Sequence, residues 1–364
     1  MSLAKGRFQG GVMGFIGYGP SPDRRNAFPE AWMGLYPRFI EIDHDARSAV
    51  LACLPGHETL PPAWSEIVRN VTRFTPGAAL ACAPAPAFHL LEPFRPLTSP
   101  ARYRASFARI QGWLRSGDCY QVNYTQCFRA RCEGSGALAM EQLLATSTPA
   151  HAAWLALPEG EVLSLSPELF LRVEDGLITT RPIKGTAPRG ADAGSDLALR
   201  RELEASPKNR AENLMIVDLL RHDVGQHAET GSVRAERLFE VESLPQVHHL
   251  VSTVTARLRP GSHAVDLVRD CFPGGSITGA PKKRAMEIIA ELEDAPRSVY
   301  CGSIGFIGSD GEVELNIAIR TLLRVDDEIF AWAGGGIVAD SECESEYEEC
   351  FHKIGALLRA LEQM

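Results

Sequence analysis

Lys184 stands in the run RPIKGTAPR, residues 181–189, between the apolar Ile183 and Gly185. Burial lowers the proton affinity of an amine, and a free amine is a nucleophile. The plainer reading is a solvated lysine at the tip of a loop. Glu168 lies upstream in SLSPELF, on what reads as the preceding strand of a hairpin. A carboxyl buried beside that amine keeps its proton and can act as an acid. Further acids lie near the C-terminus. Glu346, Glu349 and Lys353 are spaced by three and four, so they share one face of a helix. They form either a solvated edge with a Glu349–Lys353 pair or a pair of carboxylates for a hard cation such as Mg²⁺. Glu212, in SPKNRAENLMIVDLLRHDVG, sits on the first turns of another helix, where the helix dipole alone would favour an acid.

Two glycine-rich runs offer backbone amides. FAWAGGGIVADS places three consecutive glycines after a strand and suggests an anion cradle. CFPGGSITGAPKKRAMEII feeds a helix whose first residue reads as Pro281, directing free amides toward Ser276 and Thr278. The spacing from Gly274 reaches Gly279 and then Ala280, where a nucleotide-binding P-loop requires lysine. Nucleotide binding is therefore not expected. Cys119, in GDCYQ, lacks the Gly-x-Cys-x-Gly elbow of a glutaminase because Gln121 fills the last place, so it reads as a small buried hydrophobe.

These groups need elements to hold them. Residues 37–54 read as two strands around an Asp-containing turn, and 77–100, rich in alanine and proline, as a linker. Ser99 and Pro100 open a helix as cap and first residue, and Ser206 and Pro207 open another. Strand-like runs at 120–132, 162–182, 298–308, 312–325 and 328–333 alternate with helical ones at 198–221, 280–293 and 344–362. In the last, Tyr347, Cys350, Phe351, Ile354, Leu357, Leu358 and Leu361 make one apolar stripe. Strands often follow strands directly, which suits an α+β fold with antiparallel sheets.

The 364 residues, 45% hydrophobic and 23% charged, describe a soluble globular chain with a substantial core. A net charge of -9 argues against a general nucleic-acid binder, and no apolar run is long enough to span a membrane. Nine cysteines without a CxxC pair, and no signal-peptide pattern, point to a reduced, cytoplasmic protein.

Eight runs occur in a fixed order: SPELF, RPIKGTAPR, AENLMIVDLLRHDVG, VHHLVSTV, PGGSITGAPKKRAMEII, CGSIGFIG, NIAIRTL and GGGIVADSECESEYEECFHK. From about residue 100 onward the chain thereby resembles the chorismate-utilising enzymes. The resemblance implies two large antiparallel sheets packed face to face, helices outside, and an active site in the cleft between the sheets. Residues 1–98 would be a strand-rich region, shortened relative to the family and without its tryptophan-binding signature. Residues 99–364 would be the chorismate-binding catalytic domain, the two parts intertwined in one compact fold.

The resemblance also implies Mg²⁺ held by Glu212 and Glu349, with Glu346 in or near that shell, anchoring a substrate carboxylate. Arg320, Tyr300, Lys353 and the amides of Gly334, Gly335 and Gly336 match positions that bind chorismate's carboxylates. Thr278 and His249 line the ring and its leaving hydroxyl, with His249 counted among the catalytic residues. Gln121, Gly185 and Thr186 complete the substrate contacts. Family members that hydroxylate chorismate carry a water-activating lysine where this chain has Gln121, so amination is expected instead. Of the aminating branches, the anthranilate-forming one usually reads Pro-Ile-Ala-Gly-Thr. The branch that makes 4-amino-4-deoxychorismate, for 4-aminobenzoate and folate, reads Pro-Ile-Lys-Gly-Thr, as here. Lys184 is then expected to attack ring C2 while Glu168 protonates the departing C4 hydroxyl. Ammonia would come from a separate glutamine amidotransferase subunit, and no fused lyase is expected after the terminal helix. A scaffold that kept the fold but lost the chemistry would lack Glu168, Lys184, Glu212 or Glu349; all four are present.

Overall fold

The structure is a computed structural model that describes residues 8–20, 28–62, 64–65 and 85–364. The first seven residues and positions 77–84 of the alanine- and proline-rich stretch lie outside the described residues. Seven helices follow one another among those described: α1 (Pro100–Ser116), α2 (Gly136–Thr146), α3 (Ala193–Ala205), α4 (Pro207–Gly225), α5 (Ala264–Cys271), α6 (Lys282–Leu292) and α7 (Cys343–Glu362).

Two sheets dominate, and every strand pairing within the described residues is antiparallel. The nine-stranded sheet is built on Val247–Arg257. One edge of that long strand pairs with Arg234–Ser243; the other is shared by Ile183–Pro188 and Leu177–Arg181. Leu169–Glu174, Val313–Asn316, Ser303–Gly308, Gly11–Ile16 and Ala31–Tyr36 extend the sheet from there. The eight-stranded sheet runs Gly279–Ala280, Gln121–Glu133, Glu328–Ile337, Thr321–Val325, Gly160–Ser166 and His151–Leu157. His89–Leu90 and Arg95–Pro96 add short pairings to Gln121–Glu133.

Alternation along Glu328–Ile337 explains the layering. Successive side chains of a strand point to opposite faces. Phe330 and Trp332 join the core between the sheets, with Phe15, Phe170 and Leu315 of the first sheet. Ile329, Ala331 and Ala333 face a second core built with Tyr103 and Ile110 of α1, Leu143 of α2, Ile288 of α6 and Leu357 of α7. Trp332 is 2% exposed, and burying a side chain of that size is worth on the order of 3 kcal/mol. On the other sheet, α3 and α4 pack against Ile183–Pro188 and Val247–Arg257.

Proline and capping residues set the breaks. Ser99 and Ser206 each cap a helix, accepting from the amides of Arg102 and Asn209, and Pro100 and Pro207 follow at the first position. The helical run expected over 198–221 is therefore two helices, because Pro207 has no amide to continue α3 into α4. The strand expected over 162–182 is three: Pro167 breaks the first, and Asp175 and Gly176, at φ 48° and 73°, turn the second into a hairpin. The run expected over 312–325 is interrupted at Arg320, whose backbone is left-handed at φ 50°. Pro281 is the cap of α6, in extended conformation, and not its first helical residue. Gly279 and Ala280 pair with Val122 and Gln121, which carries the glycine-rich run into the sheet. The expected turn over 37–54 is a ribbon of Arg38–Asp43 with Ser48–Cys53, its turn held by the Ala46 amide on Asp43 Oδ1 at 2.8 Å. Phe351 departs from the buried stripe of α7: it is partly exposed and packs edge-on against Phe128 and Tyr347.

Candidate active site

A cavity of about 830 Å³ opens between the two sheets. Of the residues singled out in the sequence, all but Gln121, Thr278 and Gly335 line it. They reach it from the Ile183–Pro188, Val247–Arg257 and Glu328–Ile337 strands, from α4 and α7, and from the turns carrying Glu168, Tyr300 and Arg320.

Lys184 and Glu168 meet because of the kink at Pro182. The Leu169–Arg181 pairing closes the hairpin, and the chain then steps onto the same edge of Val247–Arg257 as a new strand. Glu168 therefore falls beside Ile183, whose amide hydrogen-bonds its carboxylate, with the Ser276 side chain as a second partner. The Ser276 carbonyl in turn accepts from Lys184 Nζ at 3.0 Å. One residue thus holds both the acid and the amine. Burial pushes the Glu168 carboxyl above the ordinary range despite those hydrogen bonds and the nearby Lys184 charge. Burial, and then the Lys353 ammonium, push Lys184 below the ordinary lysine range against the pull of Glu212, Glu168 and Glu349. Gly185 follows at φ 94°, and a Cβ there would sit 2.9 Å from Asn209 Cγ. Only glycine lets this strand lie against α4 so closely.

The acidic wall comes from two helices. Glu212 extends from α4, and Glu346 and Glu349 from α7. Burial raises the Glu212 and Glu346 carboxyls, and the neighbouring carboxylates add to it. Glu346 Oε1 accepts from Ser341 Oγ at 2.7 Å. Burial acts on Glu349 the same way but is overcome by Lys353, whose Nζ lies 2.6 Å from Glu349 Oε1 and also donates to the Gly334 carbonyl at 2.9 Å. The simple Glu349–Lys353 pair is therefore present alongside the acidic wall.

No three His, Cys, Asp or Glu side chains among the described residues are gathered as a ready metal cage. The donor chemistry nonetheless fits a hard cation. Glu346 Oε2 and Glu349 Oε1 face the same space beside Gly335, 2.9 and 3.5 Å from where a Cβ would stand. An ammonium, Lys208 Nζ, already stands between Glu212 and Glu346, 4.0 and 3.6 Å from their Oε1 atoms.

The opposite wall suits an anion. Arg320 is half-buried, has a left-handed backbone, and makes no ion pair with any described carboxylate. Burial lowers its proton affinity, yet a guanidinium stays charged in a protein. Tyr300 stacks on Trp332 at 5.9 Å with rings 9° apart, giving a flat apolar surface. His249 Nδ1 is 2.9 Å from Thr186 Oγ1, and its Nε2 is buried without a partner. Burial, with the Arg320 charge behind it, lowers His249 to about 4, so the ring is neutral at pH 7.

The three residues off the cavity surface have other surroundings. Thr278 is fully buried and donates its hydroxyl back to the Gly274 carbonyl at 3.0 Å. Gln121 is fully buried behind Gly336, both polar atoms of its side chain without partners. Gly334, Gly335 and Gly336 are strand, paired with Thr125, Tyr124 and Asn123 on one side. On the other side the neighbouring strand pairs only as far as Ala331, leaving that edge toward the cavity. Two contributors have roles that the sequence did not give them: Ser276, read only as facing the free amides of a glycine-rich run, and Lys208. The four-residue spacing of Lys208 and Glu212 was the available signal for the second.

A fold of two large antiparallel sheets with a cleft between them has known counterparts. The profile of the chorismate binding enzyme family matches residues 2–359, and the chain belongs to that family. Among relatives, aminodeoxychorismate synthase component 1 of Salmonella typhimurium is 45% identical over 365 residues, spanning 98% of this chain and 77% of that protein. Anthranilate synthase component 1 of Streptomyces coelicolor is 38% identical over 378 residues, spanning 97% and 73%. The crystal structure of anthranilate synthase component I from Streptococcus pneumoniae superposes with a TM-score of 0.84 at 29% identity, covering 99% of this chain and 82% of that one.

Proposed function

We propose that this chain aminates chorismate at C4 to give 4-amino-4-deoxychorismate, the precursor chemistry of 4-aminobenzoate and folate. The observation that carries the reading is the half-buried Lys184 amine set against the buried Glu168 carboxyl under one residue, Ser276. The 45% identity to an aminodeoxychorismate synthase component 1 supports the same branch. That relative's designation as a component is the ground for a partner, which we take to be a glutamine amidotransferase delivering ammonia.

In this mechanism the dianionic substrate lies with its ring against Tyr300 and Trp332 and a carboxylate toward Arg320. Neutral Lys184 forms a bond from nitrogen to ring C2. The ring double bonds shift, the C4–oxygen bond breaks, and the hydroxyl leaves as water with the Glu168 proton. Ammonia then bonds to C4, the double bonds shift back, and Lys184 leaves as the free amine. The Glu168 carboxylate takes the surplus proton from the new C4 ammonium and is ready again. His249, neutral, lines the leaving-group side with its free Nε2. Glu212, Glu346 and Glu349 would hold Mg²⁺, which when bound neutralises a substrate carboxylate.

Product analysis tests the reading. Incubation of the purified chain with chorismate, an ammonium salt and MgCl₂ should yield non-fluorescent 4-amino-4-deoxychorismate. Fluorescent anthranilate as the product would overturn it in favour of amination at C2 with loss of pyruvate.

A further inference from the structure

Lys208 occupies the second helical position of α4, one turn before Glu212, and its Nζ lies between carboxylates carried by two different helices. Both separations, 3.6 Å to Glu346 and 4.0 Å to Glu212, are too long for directed hydrogen bonds. The ammonium is therefore held by charge alone. The other two lysines of the cavity are anchored: Lys184 donates to the Ser276 carbonyl, and Lys353 is bonded to Gly334 and Glu349. The Lys208 side chain is 52% exposed, so it can leave without breaking a bond or uncovering a core.

We propose that Lys208 is an internal counter-ion that neutralises the acidic wall while it is metal-free and swings out when a divalent cation enters. This rests on the assignment of Glu212, Glu346 and Glu349 as the metal's holders. The carboxylates of Glu212, Glu346 and Glu349 repel one another, and Glu346 is almost completely buried, so a nearby cation favours the charged wall. A second cation of charge two cannot share that space with the ammonium at the distances seen. Metal binding is then an exchange of one cation for another, and its apparent affinity is lowered by the attraction that holds Lys208 in place. The arrangement keeps the wall formed without metal and leaves occupancy set by the ambient cation concentration.

The test is calorimetric titration of the chain with MgCl₂, without chorismate, at fixed pH and ionic strength. Lys208→Met, which keeps the aliphatic stem, should bind Mg²⁺ roughly tenfold tighter than the parent, two half-exposed ion pairs having been removed. Lys208→Arg, which restores the charge, should return to within about threefold of the parent. The metal-free Lys208→Met protein should also melt lower, and gain more from saturating Mg²⁺, than the parent. Equal or weaker binding by Lys208→Met, with binding by the parent abolished in Glu349→Gln, overturns the counter-ion role and leaves the metal assignment standing. Absence of Mg²⁺ binding at millimolar concentrations in both parent and Lys208→Met overturns the metal assignment and this inference together.

Discussion

Replacing Glu168 by glutamine separates the acid from the rest of the site while keeping its shape. The wild-type step needs an unprotonated Lys184 and a protonated Glu168, so the reacting form is one tautomer of the singly protonated pair. Below the Glu168 pKa both groups are protonated and the amine cannot attack. Above the Lys184 pKa both are bare and no acid remains. The rate should therefore be bell-shaped in pH. With ordinary values near 4.3 and 10.4, the reacting tautomer would be only about one part in 10⁶ of the pair. Each unit by which the two values approach one another multiplies that fraction by about ten. Burial moves Glu168 up and Lys184 down, so both shifts act in the productive direction. The limbs of the bell should accordingly lie inside the ordinary values. In Glu168→Gln the descending limb should vanish, since no acid is left to lose its proton, and the maximal rate should fall about 10²–10⁴-fold. Steady-state rates of chorismate consumption, measured at constant free ammonia between pH 5 and 10, provide the assay. A Glu168→Gln protein that keeps the bell, or loses less than about tenfold in rate, refutes the role of Glu168 as the acid.

Lys184→Ala should lower turnover with ammonia by at least about a thousandfold while chorismate affinity, followed by equilibrium titration, changes little. Arg320→Met should act on the substrate instead, raising the KM for chorismate by roughly tenfold to a hundredfold through loss of charge-assisted hydrogen bonds; an unchanged KM would place the carboxylate elsewhere. Gly185→Ala should cost about 1–3 kcal/mol of stability in denaturant titration, because its φ of 94° and the nearby Asn209 both oppose a Cβ. An undiminished midpoint would show that the strand can shift off α4.

Local chemistry made much of this legible in the sequence. Ser99–Pro100 and Ser206–Pro207 marked helix starts because a hydroxyl cap and a missing amide act within one turn. The spacing of Glu346, Glu349 and Lys353 gave a shared helix face, and that face borders the cavity. The expected hairpin put Glu168 near Lys184, and both line the cavity, but the two do not sit on paired strands. Pro182 sends the chain onward along a different stretch of Val247–Arg257, a partner more than sixty residues away that local pattern cannot name. The glycine run misled in another way. Its glycines were read as an anion cradle of open amides after a strand, whereas they are themselves strand, kept free of side chains by Glu346, Gln121 and Thr125 close against them. Burial of Thr278 within its own loop, and Lys208 between two helices, are likewise products of tertiary packing and leave no periodic trace.

The strand Gly11–Ile16 pairs along its whole length with Ser303–Gly308, Gly11 opposite Gly308. During synthesis, then, Gly11–Ile16 must wait for a partner strand made much later. At about 5–20 residues per second, the interval is roughly 15–60 s. For the latter part of that time the sheet that carries Lys184 has Gly11–Ile16 and Leu169–Glu174 on hand but neither of the strands that join them, Ser303–Gly308 and Val313–Asn316. A nascent chain of this protein is thus exposed to chaperones and to mispairing until Val313–Asn316 has left the ribosome. Cutting the gene near residue 98 would divide one sheet rather than release two working halves.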